Sequence, residues 1–272
     1  MGGIHESSIS KTSHRLSIQW FCAIGSILMA LAHAHGGESA ELPGTIAKIK
    51  PAIVAVGTFQ KTRRPPTLFR GTGFVIGDGR LVATNAHVLP DKIDQEKNEF
   101  IAVFAVNANG VEIRPANVVG EDRDYDMTIL RISGAPLAVM TLGNSDNVRE
   151  GESYAFTGYP IGMVLGLHAV THRGIVSAIT PNVIPQLSGQ QLEKKTLARL
   201  IAPYDVFQLD ATAYPGNSGS PLYDPDTGHV IGILNKVFIQ ESKETVIQKP
   251  SGISYAIPIK HLQELLKKIR VE

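Results

Sequence analysis

A serine lies in a short glycine-rich turn directly before an apolar run, in the segment Gly216-Asn217-Ser218-Gly219-Ser220-Pro221. Glycines let the backbone bend sharply, so that the Ser218 hydroxyl reaches the surface and the amides of Gly216 and Ser218 point at one spot. Two converging amides could stabilise a tetrahedral oxyanion, at about 3 to 4 kcal/mol per essential donor. The same residue types also build ordinary turns. The segment alone therefore leaves a catalytic serine and a simple turn equally open.

A nucleophilic serine needs a neighbouring base, because its hydroxyl is a weak nucleophile at neutral pH. His87 is the best-placed histidine, since it follows the predicted strand Leu81 to Thr84 at an end where side chains can reach a cleft. A histidine in such apolar surroundings is also commonly a packed structural residue. The remaining candidates, His168, His172 and His229, lack a comparable context and are predicted to be strand or turn residues.

The base in turn needs a carboxylate that fixes its tautomer and stabilises the imidazolium. Asp126 opens the apolar run that continues to Ile132, where a partly shielded carboxylate would be positioned by a buried strand. Asp122 and Asp124 lie in the preceding turn and compete for the same role. Each of these aspartates could instead be a solvated turn residue.

Taken together, these segments resemble the HtrA (Deg) proteases, which are chymotrypsin-like serine proteases. The chain order His, Asp, Ser is that of chymotrypsin-like enzymes and differs from the order in subtilisins and α/β-hydrolases. Five motifs have close counterparts in HtrA proteases and occur in the same order: Gly71 to Ile76, Thr84 to Val88, Tyr125 to Leu130, Gly174 to Ser177 and Pro215 to Gly219. The resemblance extends from about Leu42 to Leu266.

The resemblance implies a role for each matched residue. Ser218 would be the nucleophile, His87 the general base and then acid, and Asp126 the residue that orients His87. The amides of Gly216 and Ser218 would form the oxyanion hole, and Asn217 would supply a third backbone donor or hold the turn. The residues expected to line the substrate pocket are Thr212, Ala213, Tyr214, Ile233, Leu234 and Asn235.

Several departures from related families bear on specificity and control. Thr212 matches the specificity aspartate of trypsin, so we expect a preference for small or medium aliphatic residues over Lys and Arg. Ser220 replaces the second glycine of the usual motif, as in glutamyl endopeptidases, but Leu234 stands where those enzymes carry their glutamate-reading histidine. Asn217 replaces the aspartate that pairs with a freed amino terminus in trypsin-type zymogens. The chain stops at Glu272 after a predicted helix, so we expect no PDZ domain.

The elements that must position these residues are predicted to be β-strands. Short runs rich in Val, Ile, Thr and Phe recur from Ala52 onward between clusters of Gly, Pro, Asn and Asp, which is typical of all-β sandwiches and barrels. With the resemblance, this predicts two six-stranded antiparallel β-barrels of the chymotrypsin type. We expect the first barrel, with His87 and Asp126, over residues 35–137. The second, with Ser218, would occupy 138–272 and end in a helix over Pro258 to Arg270.

The amino-terminal segment differs from the rest of the chain. Lys11 and Arg15 precede an apolar run from about Ile18 to Leu31, followed by Ala32-His33-Ala34. This layout predicts a signal peptide over residues 1–34 and export to the periplasm or the medium, although an uncleaved membrane anchor is the alternative. Cys22, the only cysteine, lies in this run. The exported protein is therefore expected to contain no disulfide and no cysteine nucleophile.

The composition narrows the class of partner. The chain of 272 residues has 43% hydrophobic residues and a formal net charge of +1, with both signs mixed along the sequence. No basic face suggests nucleic acid, no stable membrane insertion is expected after signal cleavage, and no spaced cluster of His and carboxylates predicts a metal or another cofactor. Polypeptides are the expected substrates. HtrA proteases are often trimers, so the resemblance also suggests a homo-oligomer.

Three functions are compatible with these residues. The first is an endopeptidase acting on unfolded or damaged proteins in the cell envelope, which the complete set of catalytic residues favours. The second is a latent or chaperone-like binding module whose catalytic residues are held out of register. The third is an esterase or another acyl transferase, since oxyanion stabilisation serves all acyl transfer.

Overall fold

The structure, a computed structural model, describes residues 2, 42–160, 166–182, 203–235 and 252–269. Apart from residue 2, the predicted signal peptide, with Cys22, lies outside the described residues. Helix α1 (Leu42–Ile49) precedes the strands, and helix α2 (Lys260–Ile269) follows them. The described part of α2 agrees with the predicted helix, except that Pro258 belongs to the last strand.

Six antiparallel strands close into a first barrel. The first strand, β1, is buried along almost its whole length. The strands are β1 (Ile53–Phe59), β2 (Thr67–Ile76), β3 (Leu81–Thr84), β4 (Phe100–Asn107), β5 (Gly110–Asp122) and β6 (Met127–Ile132). Their order around the barrel is β1-β2-β3-β6-β5-β4.

A second barrel repeats this arrangement with the next six strands. These are β7 (Ser153–Gly158), β8 (Val170–Pro181), β9 (Asp205–Asp210), β10 (Pro221–Tyr223), β11 (Val230–Asn235) and β12 (Ile253–Pro258). Their order, β7-β8-β9-β12-β11-β10, matches that of the first barrel strand for strand. The predicted fold, two six-stranded antiparallel barrels with a carboxyl-terminal helix, is confirmed.

The connection between the barrels, residues 133–152, contains the predicted boundary between residues 137 and 138. The chain there is irregular apart from one turn of 3₁₀-helix, Ser145–Asn147, and a single bridge between Leu142 and Val230. The assignment of each barrel to a separate domain stays a prediction.

Helix α2 packs its apolar face against the barrels, as its spacing of leucines predicts. Leu262 and Leu265 are buried, and Ile269 lies over Gly120 in β5. The ring of His261 stacks on Tyr125, with 3.9 Å between ring centroids. Because Tyr125 directly precedes Asp126, the helix braces the turn that carries the predicted catalytic carboxylate.

Candidate active site

His87 and Asp126 are joined by two hydrogen bonds within the first barrel. His87 lies in a 3₁₀ turn, Ala86–Val88, that follows β3, and Asp126 directly precedes β6. The His87 backbone amide donates to Asp126 Oδ1 at 2.9 Å, and the distance between His87 Nδ1 and Asp126 Oδ2 is 2.5 Å. Because β3 and β6 are paired neighbours, the barrel brings these two residues together although they are far apart in sequence. The Asp126 carboxylate thus fixes the orientation of the His87 ring, with Nδ1 directed at the carboxylate.

The backbone of Asp126 adopts a left-handed conformation, with φ of 50°. Aspartate tolerates this region better than most residues because its short polar side chain can bond locally. The Asp126 carbonyl accepts from the Ala86 amide at 3.1 Å and from the side-chain Nδ2 of the buried Asn85 at 3.1 Å. Backbone and side chain of Asp126 are therefore both held against the His87 turn.

Asn235, at the end of β11 in the second barrel, completes the surroundings of this carboxylate. Its Nδ2 donates to Asp126 Oδ2 at 2.8 Å, and the residue is buried. The sequence assigned Asn235 to the substrate pocket, whereas its amide contacts the carboxylate. Its position in a buried strand, where a polar side chain needs a partner, was the signal available in the sequence.

The Ser218 loop consists of two successive tight turns. In the first turn, the Asn217 amide donates to the Tyr214 carbonyl at 3.0 Å. Pro215 is the second residue of this turn, and Gly216 is the third, with φ of 99°. In the second, the Ser220 amide donates to the Asn217 carbonyl at 3.0 Å, with Gly219 third at φ of 86°. Both are type II turns, which need glycine at the third position. Ser218 occupies the corner of the second turn.

These turns leave two amides available beside the serine. Among the described residues, neither the Gly216 nor the Ser218 amide donates a hydrogen bond to the backbone. The Asn217 amide is already bonded within the first turn. Of the two roles expected for Asn217, a third oxyanion donor or a residue that holds the turn, the geometry therefore fits the second. Two unused amides flanking a serine are the arrangement that oxyanion binding requires.

Thr72, in strand β2, ties the first barrel to this loop. Its amide donates to the Ser218 carbonyl at 2.8 Å, and its hydroxyl donates to the Gly216 carbonyl at 2.7 Å. The same hydroxyl accepts from the Tyr159 amide at 2.9 Å. Sequence reasoning singled out the surrounding Gly-Thr-Gly motif but gave Thr72 no role, because its partners belong to the other barrel. A fully buried threonine in an apolar strand was the available signal.

The structure does not join Ser218 to His87 by a hydrogen bond. Within the described residues no hydrogen bond links the Ser218 hydroxyl to the His87 ring. Ser218 is 6% exposed, whereas the His87 side chain is 33% exposed. Catalytic hydrogen bonds are often long in ligand-free enzymes and tighten when substrate binds.

The residues predicted to line the substrate pocket divide into two groups. Thr212, Ala213 and Tyr214 are half-buried in the loop before Ser218, and their contact with substrate stays a prediction. Ile233 and Leu234 are buried in the hydrophobic cores. His172, predicted to be a strand residue, lies in β8 and stacks on Phe156. Burial lowers the pKa of His172.

No group of three or more metal-binding side chains comes together in the part of the chain that the structure describes. The described helices also lack the length and apolar character needed to cross a membrane.

Residues 71–233, from strand β2 to strand β11, match the family model of the trypsin-like peptidase domain. The match covers more than half of the chain. The chain belongs to the trypsin-like peptidase family. The matched residues include His87, Asp126 and Ser218.

Within the trypsin-like peptidases, the chain is similar to HtrA and DegP proteins, which confirms the resemblance found in the sequence. It is 32% identical over 201 residues to a probable periplasmic serine endoprotease DegP-like of Halomonas elongata, covering 74% of this chain and 35% of the relative. It is 30% identical over 229 residues to the human serine protease HTRA4, covering 83% of this chain and 40% of the relative. The chain thus spans well under half the length of these relatives.

A solved structure of the HtrA-type protease AlgW with tripeptide is similar in fold. The TM-score is 0.59 at 26% identity, and the match covers 84% of this chain and 63% of the AlgW chain.

Proposed function

We propose that this trypsin-like peptidase is a serine endopeptidase with Ser218 as nucleophile, His87 as general base and acid, and Asp126 as the residue that orients His87. One observation carries the proposal: the first barrel holds the His87–Asp126 pair and, through Thr72, binds the loop of Ser218, a serine of the second barrel that has two unused amides beside it. Asp122 and Asp124 make no described bond to His87, which supports Asp126 among the three aspartates.

The geometry supports an acyl-enzyme mechanism. His87 Nδ1 is hydrogen-bonded to Asp126, so Nε2 is the ring atom available to take the Ser218 proton as Oγ attacks the substrate carbonyl. The resulting oxyanion would accept hydrogen bonds from the Gly216 and Ser218 amides. His87 then donates its proton to the leaving amine. A water molecule, deprotonated by the same nitrogen, releases the acid product and regenerates Ser218.

Substrates and location belong to the same proposal. We infer that the substrates are polypeptides, in particular unfolded or damaged proteins, and that cleavage takes place in the cell envelope. The predicted signal peptide and the word "periplasmic" in the names of similar proteins support this location. A homo-oligomer stays a prediction from the resemblance.

The proposal is tested by measuring casein cleavage with three preparations: the full chain, its Ser218→Ala variant, and the full chain treated with a fluorophosphonate. We expect cleavage and labelling by the wild-type protein, and neither by the Ser218→Ala variant. Ser177→Ala, which removes an exposed serine of β8, is the matched control and should leave both signals unchanged. An enzyme whose cleavage survives Ser218→Ala would contradict the assignment of the nucleophile.

A second function is favoured by the missing hydrogen bond between Ser218 and His87. It is a latent or chaperone-like module that binds polypeptides without cutting them. Binding of unfolded casein, with neither cleavage nor fluorophosphonate labelling, would establish this function in place of the first.

A further inference from the structure

A charged cleft opens beside His87. Its volume is about 430 Å³, and its other walls come from the loop after His87 and from strands β2, β4 and β5. The charged or titratable residues that line it are Arg70, His87, Asp91, Glu121, Arg123 and Asp126. A group bound in this cleft would therefore lie against the proposed catalytic histidine.

Arg70 is held at the wall of this cleft by its own strand and by the turn that carries His87. Its Nε donates to the carbonyl of Val88, the residue after His87, at 2.7 Å. The neighbouring Gly71 has no side chain, and a Cβ there would contact Val88 and, at 2.8 Å, the Ser218 carbonyl. Strand β2 therefore runs directly past the nucleophile, and Arg70 projects from it into the cleft.

The distance of Arg70 from the Ser218 loop follows from the strand geometry. Thr72, whose amide binds the Ser218 carbonyl, lies two residues further along β2. At about 3.3 Å per residue, Arg70 is about 7 Å along the strand from this contact. A substrate that extends along β2 from Ser218 has the same rise per residue. Its side chain about two residues from the scissile bond would then lie level with Arg70.

Of the two arginines among the described residues that line the cleft, Arg70 is the one without a carboxylate partner. Arg123 Nε binds Glu121 Oε2 at 3.0 Å, and this bond, with a smaller contribution from Asp91, raises the pKa of Arg123. Among the described residues, no carboxylate oxygen lies within 4.0 Å of the Arg70 guanidinium. Since Nε is bound to a carbonyl, the two terminal nitrogens remain to bind a carboxylate in the bidentate manner that arginine favours.

We propose that Arg70 is a specificity-determining residue that selects polypeptides with a Glu or Asp side chain about two residues from the scissile bond. This inference rests on the proposed endopeptidase function. The acidic side chain forms an ion pair with Arg70, whereas Asp91 and Glu121, which also line the cleft, carry the same charge as the substrate and repel it. The partial shielding of the cleft strengthens the ion pair relative to one on an open surface.

Internally quenched peptides that differ at one residue test this inference. Each of the three positions on either side of the cut would carry Glu, Gln or Lys in turn, and kcat/KM would be measured for every peptide. We expect Glu to be preferred over Gln by about tenfold at a position two residues from the cut, the size of a charge-assisted bond in a partly shielded site. Arg70→Gln should abolish this preference, and Arg70→Glu should favour Lys at the same position.

Arg80→Gln is the matched control, because Arg80 also donates its Nε to a backbone carbonyl, that of Gly134 at 3.1 Å, but does not line the cleft. It should keep the preference for Glu. Equal cleavage of Glu and Gln peptides by the wild-type enzyme, or a preference that persists in Arg70→Gln, overturns the inference while the endopeptidase function stands. If no peptide is cut and fluorophosphonate does not label Ser218, the proposed function fails and this inference fails with it.

Discussion

Replacing Thr72 by valine removes the hydroxyl that links the two barrels at the Ser218 loop. Valine has nearly the same shape, so the change deletes two hydrogen bonds without opening a cavity. The Gly216 carbonyl and the Tyr159 amide, at 2.7 and 2.9 Å from the hydroxyl, lose their partner. A buried group left unpaired costs about 1 to 3 kcal/mol. The free energy of unfolding should therefore fall by about 2 to 6 kcal/mol.

The same substitution should slow the proposed reaction. The Gly216 carbonyl is fixed by Thr72, and its release lets the neighbouring peptide reorient and carry the Gly216 amide away from the oxyanion. Loss of one oxyanion donor costs about 100-fold to 1000-fold in kcat. Because the variant loosens the donor without deleting it, we expect a decrease in kcat of at least about tenfold.

Urea unfolding and peptide-cleavage kinetics on the same preparations measure both effects. Thr72→Ser keeps the hydroxyl and should retain kcat within about twofold while losing about 1 kcal/mol for the missing methyl group. Thr84→Val makes the same type of change at a buried threonine that bonds only within the first barrel, at 2.7 Å from the Thr72 carbonyl. It should lower stability without a comparable loss of kcat. A Thr72→Val enzyme with wild-type kcat would refute the reasoning.

Three other substitutions test separate parts of the structure. Gly219 has a positive φ, and Gly219→Ala would place a Cβ against the backbone carbonyl of Thr72, so this variant should not fold stably. Gly151 has a similar φ but open space around it, so Gly151→Ala should lower the free energy of unfolding by only about 1 to 2 kcal/mol, measured by thermal unfolding. Asn235→Leu removes a donor to the Asp126 carboxylate and should lower kcat/KM by about tenfold or more. Unchanged kinetics would contradict a positioning role for Asn235. Burial lowers the pKa of His261 below its usual 6.5, so the unfolded chain takes up this proton first as pH falls and stability is lost below about pH 6.5. His261→Phe should therefore make the free energy of unfolding less dependent on pH, by up to about 1.4 kcal/mol per pH unit, when urea unfolding is compared at pH 7.5 and 5.5. An unaltered pH dependence would show that His261 is not the source of the loss of stability.

Most strands could be predicted because each is a run of β-branched and aromatic residues between turn residues. Strand β10, Pro221–Tyr223, has only three residues and starts with a proline. The sequence shows it only as the apolar run after the Ser218 turn, because it lacks the length and alternation that mark a longer strand. Strand β2 begins at Thr67, several residues before its buried apolar run, and its first four residues are half-buried or exposed and include Arg70. The sequence pattern therefore shows only the second part of this strand.

The candidate site was predictable where one short motif carries the chemistry. Ser218, His87 and Asp126 lie in distinctive local sequences, and the structure brings His87 and Asp126 into contact. The contributions of Thr72 and Asn235 could not be predicted, because each acts on a residue of the opposite barrel. Such contacts depend on how the barrels dock, and the sequence of a single strand does not indicate which residue of the other barrel it will contact. Only the demand that buried polar groups be paired pointed toward them.

The division of the site between the barrels makes its geometry sensitive to their docking. His87 and Asp126 belong to the first barrel, whereas Ser218 and the two unused amides belong to the second. Thr72 and Asn235 each bond across to the other barrel, Thr72 from β2 to the Ser218 loop and Asn235 from β11 to the Asp126 carboxylate. A misplacement of about 1 Å between reacting groups can cost about 100-fold in rate. Substitutions that shift one barrel against the other should therefore reduce kcat even when each barrel stays folded.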